Sequence, residues 1–323
     1  MKLQMKKLIT LLALLVIWAN PIWAQAPEEF RAIFWNMHSG NSSASFLGDQ
    51  MADKENIDFW GLSEVQNQAA VDAFVAALEA EHPDAEFVSK ISEEGRSDRL
   101  AIIYRSDRLT AVPYSGNATV DDIDDFFFEV DNINVGGTLR PALGIQLRAP
   151  SGQMVVALVN HWKCCGGSSN RERRKKQAIQ MNSFAVQTPG IPIISGGDFN
   201  IPLNGRGQMD DAFITLMQMW EYREPEQQDV GTFRSGSVLD AVFVANRVQG
   251  WESSTSILRR EGHAPAETRT FSDDSQTTDH RPLMLVVESD TSERLEELRD
   301  IIADLEVLLA RLKAEVERLE GGN

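Results

Sequence analysis

The sequence predicts a mixed α/β domain, preceded by an export signal and followed by a coiled-coil helix. Three observations carry that prediction. Short β-branched and aromatic runs alternate with helix-period patterns across residues 25–289, with no repeat or low-complexity tract. Residues 1–24 hold one apolar run behind a group of lysines, and residues 290–323 hold an unbroken heptad pattern. Composition agrees: in 323 residues, 42% hydrophobic side chains can fill a sizeable core, which excludes a wholly disordered chain. With 31 basic against 48 acidic residues, nucleic-acid binding through an overall basic surface is excluded, although a local cationic site is not. Two cysteines cannot build a disulfide scaffold or a four-thiolate zinc site.

The chain opens with Lys2, Lys6 and Lys7, an apolar run over residues 8–19, and small residues at Ala24 and Ala26. That order describes a secretory signal cleaved after Ala24. Asn20-Pro21 stops the run short of the about 20 apolar residues that a spanning helix needs. The expectation is export to the periplasm or medium, with no stable membrane span.

Within residues 25–289, strands are expected near 32–35, 57–62, 100–104, 143–147, 154–159, 191–194, 238–244 and 283–287, with helices at 68–81, 170–187 and 208–220. Polar groups stand at the ends of these runs. Asn36, Glu64, His161, Asp198 and Asn200 follow apolar runs, whereas Asp240 and the pair Asp279-His280 stand at or before the start of later ones. If the later strands run antiparallel to the earlier ones, all of these groups gather at one edge. Four carboxylates crowded into one cleft are costly without a cation.

The same residues resemble the ordered motifs of the endonuclease/exonuclease/phosphatase superfamily, which includes DNase-I-like nucleases, neutral sphingomyelinases and inositol polyphosphate phosphatases. The motifs are Trp35-Asn36, Leu62-Ser63-Glu64-Val65-Gln66, Asn160-His161, Gly197-Asp198-Phe199-Asn200, Leu239-Asp240 and Thr278-Asp279-His280-Arg281-Pro282. They run in the family's order over residues 30–288. The resemblance implies a DNase-I-like four-layer αββα sandwich that hydrolyses phosphate esters with a divalent metal. Glu64 and Asp279 with Asn36 form the oxygen-donor set expected for Mg²⁺, or Mn²⁺ or Ca²⁺, rather than zinc.

By similarity, Asp198 orients or activates the attacking water and Asn200 donates to the phosphate. His280 is a general base held by Asp240, and His161 faces the leaving group or a phosphate oxygen. Arg99, Arg140 and Lys163 are the expected phosphate contacts, and Arg171, Arg173, Arg174, Lys175 and Lys176 form a basic run opening a helix. Gln66 stands where DNase-I-like proteins carry an arginine, which counts against minor-groove binding of DNA. Of the other histidines, His82 and His263 read as ordinary, and His38 as a weak neighbour of the site.

Cys164-Cys165 adjoins His161 and precedes Gly166-Gly167. Neighbouring Cα atoms stand about 3.8 Å apart, below the usual disulfide range, so a vicinal bridge is strained. A bridge, free thiols and links between subunits all stay open.

The tail places Leu295, Leu298, Ile302, Leu305, Leu309, Leu312, Val316 and Leu319 at alternating spacings of three and four. Ile301 and Leu308 at g positions widen the stripe, so residues 295–319 are expected to join copies of the chain, as a trimer. The expected function is a secreted metal-dependent phosphodiester hydrolase, an endonuclease on DNA or RNA. The alternatives are a sphingomyelinase-like phosphodiesterase, with Phe126-Phe127-Phe128 as a membrane tip, and a phosphatase of small organic phosphates.

Overall fold

A computed structural model of the chain describes residues 30–134, 140–150, 152–203, 210–246, 251–260, 264–271 and 278–289, and nine positions between 301 and 318. The signal at 1–24, most of the heptad stretch and His263 lie outside the described residues. The nine tail positions are helical, and Ile301, Ile302, Leu305, Val307 and Leu308 among them are exposed. No helix among the described residues is long and apolar enough to cross a membrane.

One compact unit runs from Glu29 to Val287. In chain order its strands begin with β1 (Phe30–Asn36), β2 (Phe59–Val65), β3 (Phe87–Ile91), β4 (Arg99–Arg105), β5 (Thr110–Val112), β6 (Asp121–Asp122) and β7 (Phe127–Val130). They continue with β8 (Ala142–Arg148), β9 (Met154–His161), β10 (Ile193–Asp198), β11 (Glu221–Tyr222), β12 (Asp240–Ala245), β13 (Trp251–Ile257) and β14 (Leu283–Ser289). The helices are α1 (Ala44–Ala52), α2 (Gln68–Glu81), α3 (Ser168–Gln187) and α4 (Asp211–Leu216).

The strands form two sheets, ordered β13-β14-β1-β2-β4-β3 and β11-β12-β10-β9-β8-β7-β6, with β5 beside β8. Alternation along the strands divides the apolar side chains among three cores. Phe34, Phe59, Ile102, Ile145, Val159, Ile194 and Leu285 fill the space between the sheets. Ile33, Trp35, Trp60 and Leu62 face the other way and pack with Val71, Phe74 and Leu78 of α2. Val156, Leu158 and Ile193 pack with Met181, Phe184 and Phe213 of α3 and α4. Helix, sheet, sheet, helix is the four-layer order that the motifs imply.

Two helices depart from expectation. The α1 helix is absent from the sequence reading because Gly48 interrupts its pattern; here Gly48 lets α1 lie against α2, where an added Cβ would stand 3.1 Å from that of Ala77. The 208–220 helix shrinks to α4, because Asp210 caps it through Ala212 N at 3.1 Å and the chain turns after Leu216 toward the edge strand β11. Phe127 and Phe128 are core residues of β7 while Phe126, just before the strand, is 39% exposed, so the three phenylalanines do not share one exposed tip. His82 closes α2, with its ring Nε2 3.0 Å from Ala52 O.

The start of α2 is fixed by Asn67, whose side chain accepts from Ala70 N at 3.0 Å. Asn67→Ala should lower stability by about 1 kcal/mol, the usual worth of an N-cap, measured by urea unfolding. An unchanged midpoint would show that tertiary packing alone holds this end.

Candidate active site

Strand direction builds the site. The β1–β2 and β9–β10 pairs are parallel, whereas β14 runs antiparallel to β1 and β12 antiparallel to β10. The ends of four strands and the starts of two therefore share one edge. Asn36, His161 and Asp198 are the last residues of β1, β9 and β10, Asp240 is the first of β12, and Asp279-His280 precede β14. In the second sheet Asp198 is flanked in register by His161 and by Asp240.

Glu64 reaches this edge by a local distortion. The pairing of β2 with β4 shifts register between Leu62 and Val65, and Glu64 takes the left-handed conformation with φ 54°. A bulge of this kind re-aims one side chain, and its backbone cost persists only where the surroundings enforce it. Asn200 and His38 share the left-handed conformation, with φ 53° and 55°.

The two sheets meet through Asn36. Its Nδ2 donates to Glu64 Oε1 at 2.9 Å and to Asp198 Oδ2 at 3.1 Å, across the sandwich. His161 Nε2 stands 3.5 Å from Glu64 Oε1 and 3.7 Å from Asp198 Oδ2. Arg140 Nη2 stands 2.8 Å from His161 Nδ1 and 3.2 Å from Nε2, so the guanidinium sits against the edge of the ring. Asn200 stands behind Asp198: its N donates to Asp198 Oδ1 at 2.9 Å, and its Nδ2 to Trp162 O at 3.3 Å.

His280 Nδ1 donates to Asp240 Oδ2 at 2.7 Å, while Nε2 points toward Asp198 Oδ2 at 3.8 Å and Asp279 Oδ1 at 4.0 Å. Burial disfavours the charged ring, but Asp240, then Asp198 and Asp279, outweigh it and raise the pKa to about 10. Burial, then Asp240, pushes the Asp198 carboxyl up to about 6 against the pull of His280 and His161. Both shifts run upward, so Asp198 and His280 form a pair whose carboxyl and ring are each drawn toward holding a proton.

Of the expected phosphate contacts, Arg140 reaches the site. Lys163 turns toward the cysteine pair, with Nζ 3.9 Å from Cys164 Sγ. Arg99 stays with its own loop and donates from Nε to Arg96 O at 2.9 Å. The basic run also divides. Arg174 is buried and paired with Asp210, whereas Arg171, Arg173 and Lys176 are exposed near the start of α3.

No family model and no curated protein matches the sequence. Solved structures match the fold. An endonuclease/exonuclease/phosphatase family protein from Bacteroides thetaiotaomicron is 15% identical with a TM-score of 0.54, over 82% of this chain and 100% of that one. The mannosyl-6-phosphatase of Bacteroides thetaiotaomicron is 14% identical with a TM-score of 0.52, over 80% and 99%. Truncated TDP2 from Caenorhabditis elegans is 14% identical with a TM-score of 0.51, over 81% and 98%. The chain has the endonuclease/exonuclease/phosphatase fold.

In this fold the site fits a hard divalent cation. Glu64, Asp98, Asp198, Asp240 and Asp279 set five carboxylates against the Arg140 guanidinium and the His280 ring, and Asp240 Oδ1 is buried without a hydrogen-bond partner. Asp198 and Asp240 are sealed, with side chains 3% and 0% exposed. Asp98, Glu64 and Asp279 stay open at 36%, 24% and 12%, so an ion entering from solvent meets those three. Candidate ligand atoms gather as Glu64 and Asp98 with His161, and as Asp198 and Asp240 with His280; the carboxylate oxygens of both groups suit Mg²⁺, Mn²⁺ or Ca²⁺.

One residue of the edge, Asp98, was not expected from sequence. Asp98 accepts from Arg140 Nη2 at 2.8 Å and lies 3.5 Å from His161 Nδ1. It precedes a strand antiparallel to β2, so the logic that selected Asp240 applies to it as well. Thr278 Oγ1 donates to Asn36 O at 2.6 Å and Trp35 Nε1 to His280 O at 3.1 Å, which ties β1 to the last motif. His38 donates from N to Asn36 Oδ1 at 3.0 Å, and its Nδ1 stands 3.8 Å from Asp279 Oδ1.

Proposed function

We infer that the chain is a divalent-metal-dependent hydrolase of phosphoric esters that cuts the phosphodiester backbone of a nucleic acid. One observation carries the reading. Glu64, His161, Asp198, Asn200, Asp240, Asp279 and His280 converge on one edge of two facing sheets, in the chain order of the motifs they belong to. Asn36, Glu64 and Asp279 would hold the ion, which when bound polarises a phosphoryl oxygen and offsets developing charge.

The chain's own groups supply the rest. Asp198 takes the proton of the attacking water, helped by a pKa near 6. His280, charged and fixed by Asp240, offers its Nε2 proton to a phosphoryl oxygen, and His161 presents its ring to the leaving side. Asn200 donates to the phosphate, and Arg140 and Lys163 neutralise it. Exposed Arg171, Arg173 and Lys176 near the start of α3 favour an extended polyanion. Burial of Phe127 and Phe128 weighs against insertion into a lipid surface.

The test is a panel of supercoiled plasmid, RNA, sphingomyelin and inositol phosphates, each with Mg²⁺ and with EDTA. Cleavage of plasmid or RNA that EDTA abolishes is expected. Activity on sphingomyelin or inositol phosphates alone would replace the nucleic-acid reading. His161→Ala and His280→Ala should each lower kcat by at least about 10²-fold. Near-normal turnover in either variant removes that histidine from the mechanism.

Export through residues 1–24 and trimerisation through residues 295–319 belong to the same proposal. A helix over four heptads is about 42 Å long at about 1.5 Å per residue, and its apolar stripe needs a partner. The site residues all precede Val287, so truncation after residue 290 should give an active monomer beside a trimeric full-length chain, by light scattering. A monomeric full-length protein defeats the coiled coil. Loss of hydrolysis in a folded truncation would show that the tail completes the site.

A further inference from the structure

We propose that Cys164 and Cys165 form a dithiol modification site that an external disulfide converts reversibly to a bridge within the loop, and that its state positions Lys163. The two Sγ atoms stand 2.7 Å apart, and they are the chain's only cysteines. Cys165 is exposed, in a left-handed conformation with φ 76°, and lines an open cavity of about 980 Å³ that also takes in Asn200. An oxidant can therefore reach it.

The loop is pinned on both sides of the pair. The buried Arg174 donates from Nη1 to Lys163 O at 2.9 Å and to Cys165 O at 3.0 Å, while its Nε and Nη2 hold Asp210 Oδ2 at 2.9 and 2.5 Å. Two carbonyls fixed by one guanidinium keep the thiols together, whereas Gly166 and Gly167 have open space beside them. Lys163 Nζ lies 3.9 Å from Cys164 Sγ, so converting that sulfur from thiol to bridge changes a direct contact of the ammonium.

The step balances with a low-molecular-weight disulfide as oxidant. Cys165, as thiolate, attacks one sulfur of that disulfide; its S–S bond breaks, a mixed disulfide forms, and the leaving thiolate takes up the proton from Cys165. Cys164 then loses its proton and attacks Cys165 Sγ, which closes the ring and releases the second small thiol. Two protein thiols are oxidised and one disulfide is reduced to two thiols. A ring between neighbouring residues falls short of the usual Cα separation, which makes the bridge readily reducible.

Full-length protein would be treated with oxidised glutathione, alkylated and cleaved by trypsin. Cleavage after Lys163 and Arg171 puts both cysteines in one peptide. The expected result is a peptide lacking two hydrogens and unalkylated, returning to the doubly alkylated form after dithiothreitol. A peptide that stays doubly alkylated, carries glutathione on both sulfurs, or is joined to a second chain would overturn the site. Cys165→Ser should yield no bridged peptide.

The positional part rests on the phosphoester reading and has its own measurement. Oxidation should change KM for a phosphodiester by at least about threefold with kcat nearly constant, in keeping with a displaced charged contact, and a Cys164→Ser/Cys165→Ser double variant should not respond. Equal KM in both states would overturn the link to Lys163. Absence of any hydrolysis would overturn the functional reading and leave the mass result standing.

Discussion

Replacing Glu64 with glutamine is expected to abolish phosphodiester hydrolysis while leaving the fold intact. Glutamine keeps the length of the side chain and an oxygen for Asn36 Nδ2, which lies 2.9 Å from Glu64 Oε1. It removes one negative charge from a cluster of five carboxylates, and with it one of the open groups an entering ion would meet. Loss of one electrostatic contributor in such sites costs about 10²–10³ in turnover, and a weakened ion adds to that, so a fall of at least about 10³-fold is expected. The wild-type chain should fall silent in EDTA and recover when Mg²⁺ is restored. Mn²⁺ binding by calorimetry should weaken in Glu64→Gln, while the thermal midpoint should stay close to wild type. Full turnover of the variant, or of wild type in EDTA, would sink the carboxylate-held cation.

The convergence was legible because each polar group terminates an apolar run. Asn36, His161 and Asp198 end strands, and Asp240 begins one, so strand direction alone brings them to a common edge. Glu64 was legible as a residue but not as a geometry, since the bulge and the left-handed backbone that aim it are fixed by pairing with β4. The upward pull on the His280 pKa could not be read from sequence either. It depends on Asp198 facing its Nε2 from another strand while Asp240 holds its Nδ1. Asp98 escaped because its partner Arg140 is distant in sequence, and Arg99 attracted attention that its local bond to Arg96 O does not support. Short edge strands such as β6 and β11, two residues each, carry too little pattern to be read. In the basic run, only tertiary contact separates the buried Arg174 from its exposed neighbours.

Gly196→Ala should be among the most destabilising single-atom additions in the chain. Phe34 is fully buried between the sheets, with Gly196 on the facing sheet and Gly61 on its own. A Cβ on Gly196 would stand 2.3 Å from Phe34 Cγ and 2.4 Å from both Cδ atoms, and one on Gly61 would stand 2.6 Å from Phe34 Cδ1. The ring cannot retreat from one glycine without striking the other, so the sheets must separate. Overpacking of this kind costs about 3 kcal/mol at the upper end of its usual range. For a domain of this size that lowers the thermal midpoint by about 6–12 °C. The strain also lies two residues from Asp198 and two from Asn36, so turnover should fall with stability. A double-mutant cycle isolates the cause: in a Phe34→Leu background the same Gly196→Ala change should cost less than half as much, because the smaller side chain frees the space. Additive losses would mean that the ring is not the obstacle, and that Gly196 is required for its backbone instead.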